Sequence, residues 1–471
     1  MSYGLWRRNL PGLVVLLLAS SCSFQWIQEY DLRELLEYGD LWTARYQLRH
    51  RQEPDTRILT AYQLAQLEHY AGNWERSNAL FREAEDLNDQ AARRSDSELW
   101  RKAGASAVTL RPFELAMGPF YRTLNFIAEG KVVEAVEEAR WSNRLLLRAA
   151  GQQVTRGSGA EESAALARNP FFDAVAAMVL EWSGRNEDAY VAYRNAVVGY
   201  HRQWPQIEVA PPPWLGCDLR RTGLPLDHGD EIRDLERRFP GLVGCAGDSF
   251  GPDEDRGTVA IFVEVGWVPE TRLQDVEIPV LESDAFDHPA EWMEALVGRT
   301  AASWQPKGPV SRTLKLKVPR RDEASDEEIV AAGLSVLGSK RHGSVKIASA
   351  VVEDLGRRAQ LDGERAEAEA LAEAILRAIL TSGASLDDAD ATESTGATPW
   401  IMERTPRNPP PDRCWRTLPS AIWLFRADLA PGDYDIELEL MDDFGNVVAW
   451  DVLYDVEVRA GEWSFFNRRV F

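Results

Sequence analysis

Apolar residues recur at helical spacing through residues 22–204 of the chain. Leu124 and Ala128 lie one helical turn apart, and a second apolar series with the same spacing begins just after Gly130. A glycine at such a junction lets the first helix end in a left-handed residue. The stretch 111–147 is therefore predicted to form two antiparallel helices.

The same plan of helix, glycine, polar residue and helix recurs at Gly39, Gly72 and Gly184. Gly39 and Gly72 are 33 residues apart, close to the repeat length of about 34 residues in tetratricopeptide proteins. Wider spacings farther along predict insertions, one of them the Gly- and Ser-rich loop 152–165. Stacked helix pairs share a core and leave a concave face. Residues 22–204 are therefore predicted to form a tetratricopeptide-like α-helical repeat domain.

The helical pattern ends near residue 204, and residues 205–256 are predicted to be an irregular linker region. Residues 257–381 are predicted to be a mixed α/β domain. Its predicted strands, rich in β-branched or alternating apolar residues, are Gly257–Val268, Val276–Leu281 and Thr313–Val318. Its predicted helices are Ser325–Leu337 and Val345–Leu380.

The last ninety residues divide into two parts. Residues 382–413 are acidic and contain few large apolar side chains, which predicts a linker. Residues 414–471 alternate apolar and polar side chains between turns such as 443–446, and their tryptophans are expected to anchor a core. This range is predicted to be a C-terminal antiparallel β unit. The predicted fold class is therefore α+β.

The N-terminus carries the pattern of a secretory signal. Two arginines precede an apolar run from Leu10 to Ala19, and small residues follow up to Cys22. The run is shorter than the roughly 20 apolar residues of a transmembrane helix. Residues 1–21 are predicted to be a signal peptide and Cys22 a lipidated residue, with ordinary cleavage and an uncleaved anchor as alternatives. Ser23 favours sorting to the outer membrane, with the protein facing the periplasm.

Three further cysteines are Cys217, Cys245 and Cys414. Cysteines can pair in an oxidising periplasm. Cys217 and Cys245 bracket a Pro- and Gly-rich stretch without periodicity, where a cross-link matters most, so they are the predicted disulfide. The chain has no Cys-x-x-Cys pair and no histidine at ligand spacing, so neither a metal site nor a cofactor is predicted.

The formal net charge is −22, which argues against nucleic-acid binding because phosphates require a basic surface. Arginines on the core repeat pair stand out against this background, and they could bind a carboxylate-bearing partner by bidentate hydrogen bonds. The candidate partner-binding residues are Arg111, Arg122, Arg140, Arg144, Trp415 and Arg416. The alternative is internal pairing with Glu114, Glu137 or Glu138.

Segments spread over most of the chain resemble a family of Gram-negative lipoproteins with tetratricopeptide-like repeats followed by an α/β region. The segments that carry the resemblance are Pro112–Asn125, Ala135–Asn143, Asp188–Arg194, Gly257–Gly266 and Trp415–Pro419. These motifs are structural and none carries chemistry. The resemblance implies a role in the cell envelope and no particular activity.

Three functions are compatible with these patterns. The favoured hypothesis is a non-enzymatic, lipid-anchored scaffold or assembly factor that binds another envelope protein or complex through its repeats. A second is a binder or regulator of cell-wall or polysaccharide synthesis or export, with the Trp-rich residues 414–471 contacting the polymer. A third is a hydrolase with its site near Val259–Trp267, although no nucleophile–base pair is visible there.

Overall fold

The computed structural model describes most of the helical part of the chain and the strands that follow it. The residues described are 31–50, 57–95, 110–155, 168–240, 242, 255–281, 283, 295–296, 299, 305–321, 331–337, 346–364, 371, 375 and 415–470. The predicted signal peptide, Cys22 and the predicted acidic linker 382–413 lie outside them. Within the described ranges, no helix is long and apolar enough to cross a membrane.

Helices come first in the described chain. In order they are α1 (Leu32–Glu37), α2 (Leu41–His50), α3 (Arg57–Tyr70), α4 (Trp74–Ser95), α5 (Pro112–Ala128), α6 (Val132–Thr155), α7 (Pro170–Trp182), α8 (Asn186–Ile207), α9 (Leu215–Gly223) and α10 (Gly229–Arg238). The first eight pack as four consecutive pairs, α1–α2, α3–α4, α5–α6 and α7–α8. The predicted helical repeats are therefore confirmed.

Each pair turns at a glycine with a left-handed backbone. The φ angles are +72° at Gly39, +74° at Gly72, +70° at Gly130 and +77° at Gly184. At Gly72 the glycine N–H donates to the carbonyl three residues earlier, and the next N–H donates to the Glu68 carbonyl, both at 2.9 Å. The same two bonds close the other three turns, which is the Schellman motif. Glycine is required because a Cβ strains this conformation.

Strands follow the helices and form separate sheets. They are β1 (Gly257–Val265), β2 (Thr271–Leu281), β3 (Val310–Arg321), β4 (Ala331–Leu337), β5 (Lys346–Asp354), β6 (Ala421–Leu429), β7 (Gly432–Met441), β8 (Val447–Val458) and β9 (Trp463–Arg469). One sheet has the order β5-β6-β1-β9, with β9 parallel to β1 and the other pairs antiparallel. A second has the order β4-β7-β8, and β2 pairs with β3 in a two-stranded antiparallel sheet.

The four-stranded sheet lies between the helices and the three-stranded sheet. Alternate side chains of β1 point to opposite faces. Ala260 and Phe262 belong to the core shared with the helices, whereas Val259 and Ile261 belong to the core shared with β7 and β8. Every residue of β1 is buried. The molecule therefore has three layers: helical repeats, four-stranded sheet and three-stranded sheet.

Two predicted helices are partly wrong. Residues 331–337, predicted as helix, form β4 and pair with β7. Residues 346–354 form β5 and pair with β6, whereas residues 355–364, 371 and 375 of that predicted helix are helical in the described chain. Strand pairing with distant residues overrides local helix preference here.

The structure also departs from the predicted division of the chain. Strands β6 and β9, from the predicted C-terminal unit 414–471, flank β1 of the predicted α/β domain 257–381. These two ranges therefore share a sheet. The range 205–256, predicted as irregular, contains α9 and α10, and α9 packs on α8.

Candidate functional site

Helices α3, α5 and α7, the first helices of the last three repeat pairs, carry the surface on which the four-stranded sheet packs. Phe120 of α5 meets Phe262 of β1 with ring centroids 5.6 Å apart. Trp415, fully buried, packs against Tyr62 and Phe81 at 4.9 and 6.0 Å. The chain's own sheet and Trp415 therefore cover the repeat face formed by these helices. This differs from the prediction that the repeats bind a partner through an open face.

Hydrogen bonds tie Trp415 into this junction. Its indole Nε1 donates to Gln66 Oε1 at 2.7 Å, and its backbone N–H donates to Glu114 Oε1 at 2.9 Å. Gln66 Nε2 donates in turn to the Thr417 carbonyl at 3.1 Å. Buried polar groups need such partners. Trp415 is therefore an internal anchor and does not lie on a binding surface.

A buried carboxylate, Glu264 of β1, joins the same junction. The hydroxyls of Tyr70 and Tyr121 donate to its Oε2 at 2.6 and 2.7 Å. Asn467 Nδ2 donates to its Oε1 at 2.7 Å. Burial and the Glu264 charge raise the pKa of both tyrosines well above the usual value, so the phenols keep the protons that they donate. These bonds fasten the sheet to the helices.

A second buried network surrounds Arg426 of β6. Its guanidinium donates to Asp218 of α9 at 2.6 Å, and both side chains are buried. The Trp214 and Trp463 rings lie 5.6 and 4.7 Å from the guanidinium carbon. Burial raises the pKa of Asp218 to about 6, although Arg426 opposes the rise. Burial alone would lower the pKa of Arg426, but Asp218 raises it, so the cation is retained.

Arg122, a predicted partner-binding residue, is buried between helices. Its Nη2 lies 2.8 Å from Glu85 Oε1 and 2.8 Å from Glu138 Oε2. Burial would lower its pKa, but the two carboxylates raise it. Arg122 is therefore paired with Glu138, as the alternative interpretation held, and also with Glu85, which the sequence did not indicate.

The other predicted arginines have separate internal contacts. These are Arg111 with Asp362 (2.7 Å), Arg140 with Asp188 (3.1 Å), Arg144 with the Trp141 ring (5.6 Å) and Arg416 with Glu270 (2.7 Å). In these contacts no two arginines share a carboxylate. The predicted residues are therefore distributed over the molecule and do not assemble into one clamp.

The structure describes one of the two cysteines of the predicted disulfide. Cys217 lies in α9, is buried and is disulfide-bonded. Cys245 lies outside the described residues, so the pairing of these two cysteines stays a prediction.

The outward side of the three-stranded sheet carries a group of exposed aromatic and acidic side chains. We define the outer face as Glu437 and Glu439 of β7 with Val448, Trp450 and Tyr454 of β8. Trp450 is 66% exposed and Tyr454 is 70% exposed. Large apolar patches in solvent mark interaction sites. The three-stranded sheet thus has one side buried in the core and the other side exposed to solvent.

Register places the acidic and aromatic residues side by side. Glu439 is directly opposite Trp450, and Glu437 is directly opposite Val452. Such cross-strand neighbours have Cβ atoms about 5 Å apart. Among the described residues, neither glutamate has an ion-pair partner, and β8 is the end strand of its sheet. The outer face therefore combines exposed aromatic rings, uncompensated negative charge and a strand edge.

Among the residues that the structure describes, the void beside the strand proposed for a hydrolase site is too small to hold a substrate. The void beside β1, lined among others by Phe171, Asp218 and Phe262, has a volume of about 10 Å³. In the described part of the chain, no group of three or more histidines, cysteines and acids is placed to hold a metal ion.

Sequence reasoning missed the outer face because apolar residues occupy both sides of β8. Val448, Trp450 and Tyr454 point outward, whereas Leu453 and Val456 are buried. An extra residue near Asp455, whose φ is +54°, shifts the alternation. Tryptophan in a β unit was expected to anchor a core; Trp463 does so, and Trp450 does not.

No protein-family model matches the chain, and no curated protein matches it. Among solved structures, TPR-like repeats attributed to a kinesin light chain of Podosopora anserina align at 14% identity, over 45% of this chain and 90% of theirs, with a TM-score of 0.27. A chain of the APC/C hetero-tetramer Cut9–Hcn1 aligns at 16% identity over 50% of this chain, with a TM-score of 0.19. The match spans 44% of that second chain. Similarity at this level carries no functional conclusion, and the repeat architecture rests on the four helix pairs.

Proposed function

We propose that the chain is a lipid-anchored, periplasm-facing protein of the outer membrane that binds an extended, basic segment of another envelope protein on its outer face. It acts by binding, as a scaffold or assembly factor. The observation that carries the proposal is the exposure of Trp450 and Tyr454 on an end strand. The neighbouring strand carries Glu437 and Glu439, which have no ion-pair partner within the described part of the chain.

The four-stranded sheet covers one face of the repeats, and we therefore place the partner on the outer face. Helices α3, α5 and α7 are covered by β1 and Trp415, and hydrogen bonds to Glu264 join the two layers. A partner on that face would have to displace these contacts. The outer face needs no such displacement.

The chemistry of the outer face indicates what kind of partner segment it binds. An end strand can accept a further strand by backbone hydrogen bonds, and alternate side chains of that strand then meet the sheet surface. Trp450 and Tyr454 offer aromatic faces that attract cations as well as apolar groups. Glu437 and Glu439 favour lysine or arginine beside them. An extended basic segment fits all three features.

The envelope location rests on two observations. The residues before Cys22 have the pattern of a lipoprotein signal. Cys217 is disulfide-bonded, which is typical of an oxidising compartment such as the periplasm. Intact mass of membrane-extracted protein tests the anchor: acylated protein beginning at Cys22 is expected, and Cys22→Ala should abolish the modification.

Site-specific photocrosslinking of the full chain in its native cells tests the binding surface. A photoreactive phenylalanine replaces Tyr454 in one variant and Trp42 in a control, because Trp42 is 69% exposed but lies on α2. The expected result is a discrete adduct with an envelope protein from position 454 only. The crosslinked peptide should contain lysine or arginine.

Absence of an adduct at position 454, or the same adduct at position 42, would overturn the proposal. Isolated peptidoglycan provides the second arm, because exposed aromatic rings can also stack on sugars. Retention of the chain on peptidoglycan that is lost in Trp450→Ala, without a protein adduct, would assign the outer face to the polymer instead.

A further inference from the structure

An open cleft lies on the helical layer, at the turn between α3 and α4. Its volume is about 580 Å³, and its lining includes three arginines from two helices, Arg45 and Arg49 of α2 and Arg76 of α4. The turn at Gly72 forms part of its wall. None of these arginines belongs to the set predicted from the sequence. The cleft is also separate from the outer face, which lies on the three-stranded sheet.

All three arginines converge on one buried carboxylate, Glu68. Arg45 Nη1 lies 3.1 Å from Glu68 Oε2, Arg49 Nη2 lies 2.8 Å from Oε1, and Arg76 Nε lies 3.2 Å from Oε1. Asn73 Nδ2 also donates to Oε2, at 2.7 Å. Burial opposes ionisation, but the Asn73 and Arg45 hydrogen bonds lower the pKa of Glu68. Glu68 therefore holds three guanidinium groups as a fixed anion.

Arg49 and Arg76 use few of their N–H donors in contacts with the residues that the structure describes. A guanidinium has five N–H donors. Arg49 gives one to Glu68, and the contact of Arg76 with Glu68 involves Nε alone. The two side chains are 46% and 57% exposed, so their remaining donors are open to the cleft. A planar guanidinium with available N–H donors can form two parallel hydrogen bonds to the oxygen atoms of a carboxylate or phosphate.

The lining of the cleft lacks the net negative charge of the chain. Its lining holds three arginines against Glu68, Glu75 and Glu129. Glu129 is paired with Lys131 at 3.2 Å, so the lining with this lysine carries a net charge of +1. The whole chain carries −22. An anion therefore meets three arginines in a cleft without net negative charge, on a protein whose total charge otherwise repels it.

We propose that this cleft binds an oxyanion, a carboxylate or phosphate group, through the Arg49 and Arg76 donors that Glu68 leaves unused. Glu68 is the positioning residue, because one buried anion fixes cations from α2 and α4 around the same point. Trp74 contributes to the wall of the cleft, where it can contact the apolar part of a larger ligand.

Calorimetric titration of the full chain at constant ionic strength tests this proposal. Citrate and inorganic phosphate are the two probes, and the tighter one identifies the preferred anion. The double variant Arg49→Ala/Arg76→Ala should bind at least about tenfold more weakly, because charge-assisted hydrogen bonds are lost. The matched control is Arg57→Ala, which removes an exposed arginine of α3 that pairs with Glu83 at 3.2 Å. It should bind as the wild type does.

A double lysine variant, Arg49→Lys/Arg76→Lys, keeps the positive charges while removing the planar guanidinium groups. It is expected to bind more weakly than the wild type. No binding of either probe in the millimolar range would overturn the proposal. Equal binding by the double alanine variant, or equal weakening by Arg57→Ala, would also overturn it.

Discussion

Replacing Trp415 with alanine should destabilise the fold by about 4 kcal/mol, since removing a buried tryptophan typically costs about 3–5 kcal/mol. The side chain is fully buried, and its ring lies 4.9 Å from Tyr62 and 6.0 Å from Phe81. Alanine would leave a cavity at the junction of the helices with the sheet. It would also remove the bond from the indole to Gln66.

Urea unfolding followed by far-ultraviolet circular dichroism measures this change without relying on tryptophan emission. Trp415→Phe separates the two causes: it keeps most of the ring but loses the indole donor. Its expected cost is about 1–2 kcal/mol, because Thr417 Oγ1 still donates to the same Gln66 oxygen. Trp450→Ala is the control, and it should change stability by less than about 0.5 kcal/mol since that ring is exposed. A cost below about 1 kcal/mol for Trp415→Ala, or an equal cost for Trp450→Ala, would refute the packing described for this junction.

Three other changes test separate parts of the structure. Gly72→Ala should cost about 1–2 kcal/mol in thermal or urea unfolding, because its φ is +74° and no neighbouring atom would meet the new methyl group, so the cost is backbone strain alone. Arg122→Ala should lower the free energy of unfolding by about 3 kcal/mol, because it leaves the carboxylates of Glu85 and Glu138 without their cation at a buried site. A decrease below about 1 kcal/mol would contradict the pairing. The folded pKa of Asp218, about 6, lies above its ordinary value of 3.8. Its contribution to stability is therefore full at low pH and is lost as pH rises through about 6. Asp218→Asn lacks this decrease, so its stability relative to wild type should rise by up to about 3 kcal/mol between about pH 4 and pH 7, and a flat difference in urea unfolding would be contrary evidence.

Local sequence rules were sufficient for the four repeat pairs, although not for α9 and α10. Each turn needs a left-handed residue, and Gly39, Gly72, Gly130 and Gly184 supply it in sequence order. The apolar spacing on either side then defines helix pairs, which need no information from distant parts of the chain. The strand at residues 257–265 was equally evident, because a continuous apolar run is typical of a strand buried on both faces.

Local rules failed where distant pairing decides the structure. Residues 331–337 and 346–354 contain alanine and serine beside valine, and nothing local prevents a helix. They become strands because β7 and β6 offer hydrogen-bonding edges. The sharing of a sheet by β1, β6 and β9 is likewise a consequence of pairing between segments more than 150 residues apart.

The candidate sites were the least predictable part. A charged residue within a strand normally faces solvent, yet Glu264 and Arg426 point toward the helices and are fully buried. Their partners, such as Tyr121 and Asp218, come from distant helices. Conversely, Trp415 was expected on a binding surface and is internal. Whether such a side chain is buried or exposed depends on which layer of the molecule covers it. The periodicity of apolar residues in the sequence does not contain that information.

The affinity of the chain for the envelope protein crosslinked at position 454 is the most direct test of the central claim, that the outer face binds a partner. Purified wild type, the double variant Trp450→Ala/Tyr454→Ala and the control Trp42→Ala are titrated with that protein. Because exposed aromatic residues commonly dominate interface energies, the double variant should bind about a hundredfold more weakly, and the control should match the wild type. Equal affinity of the double variant and the wild type would contradict the claim and place the binding surface elsewhere on the molecule.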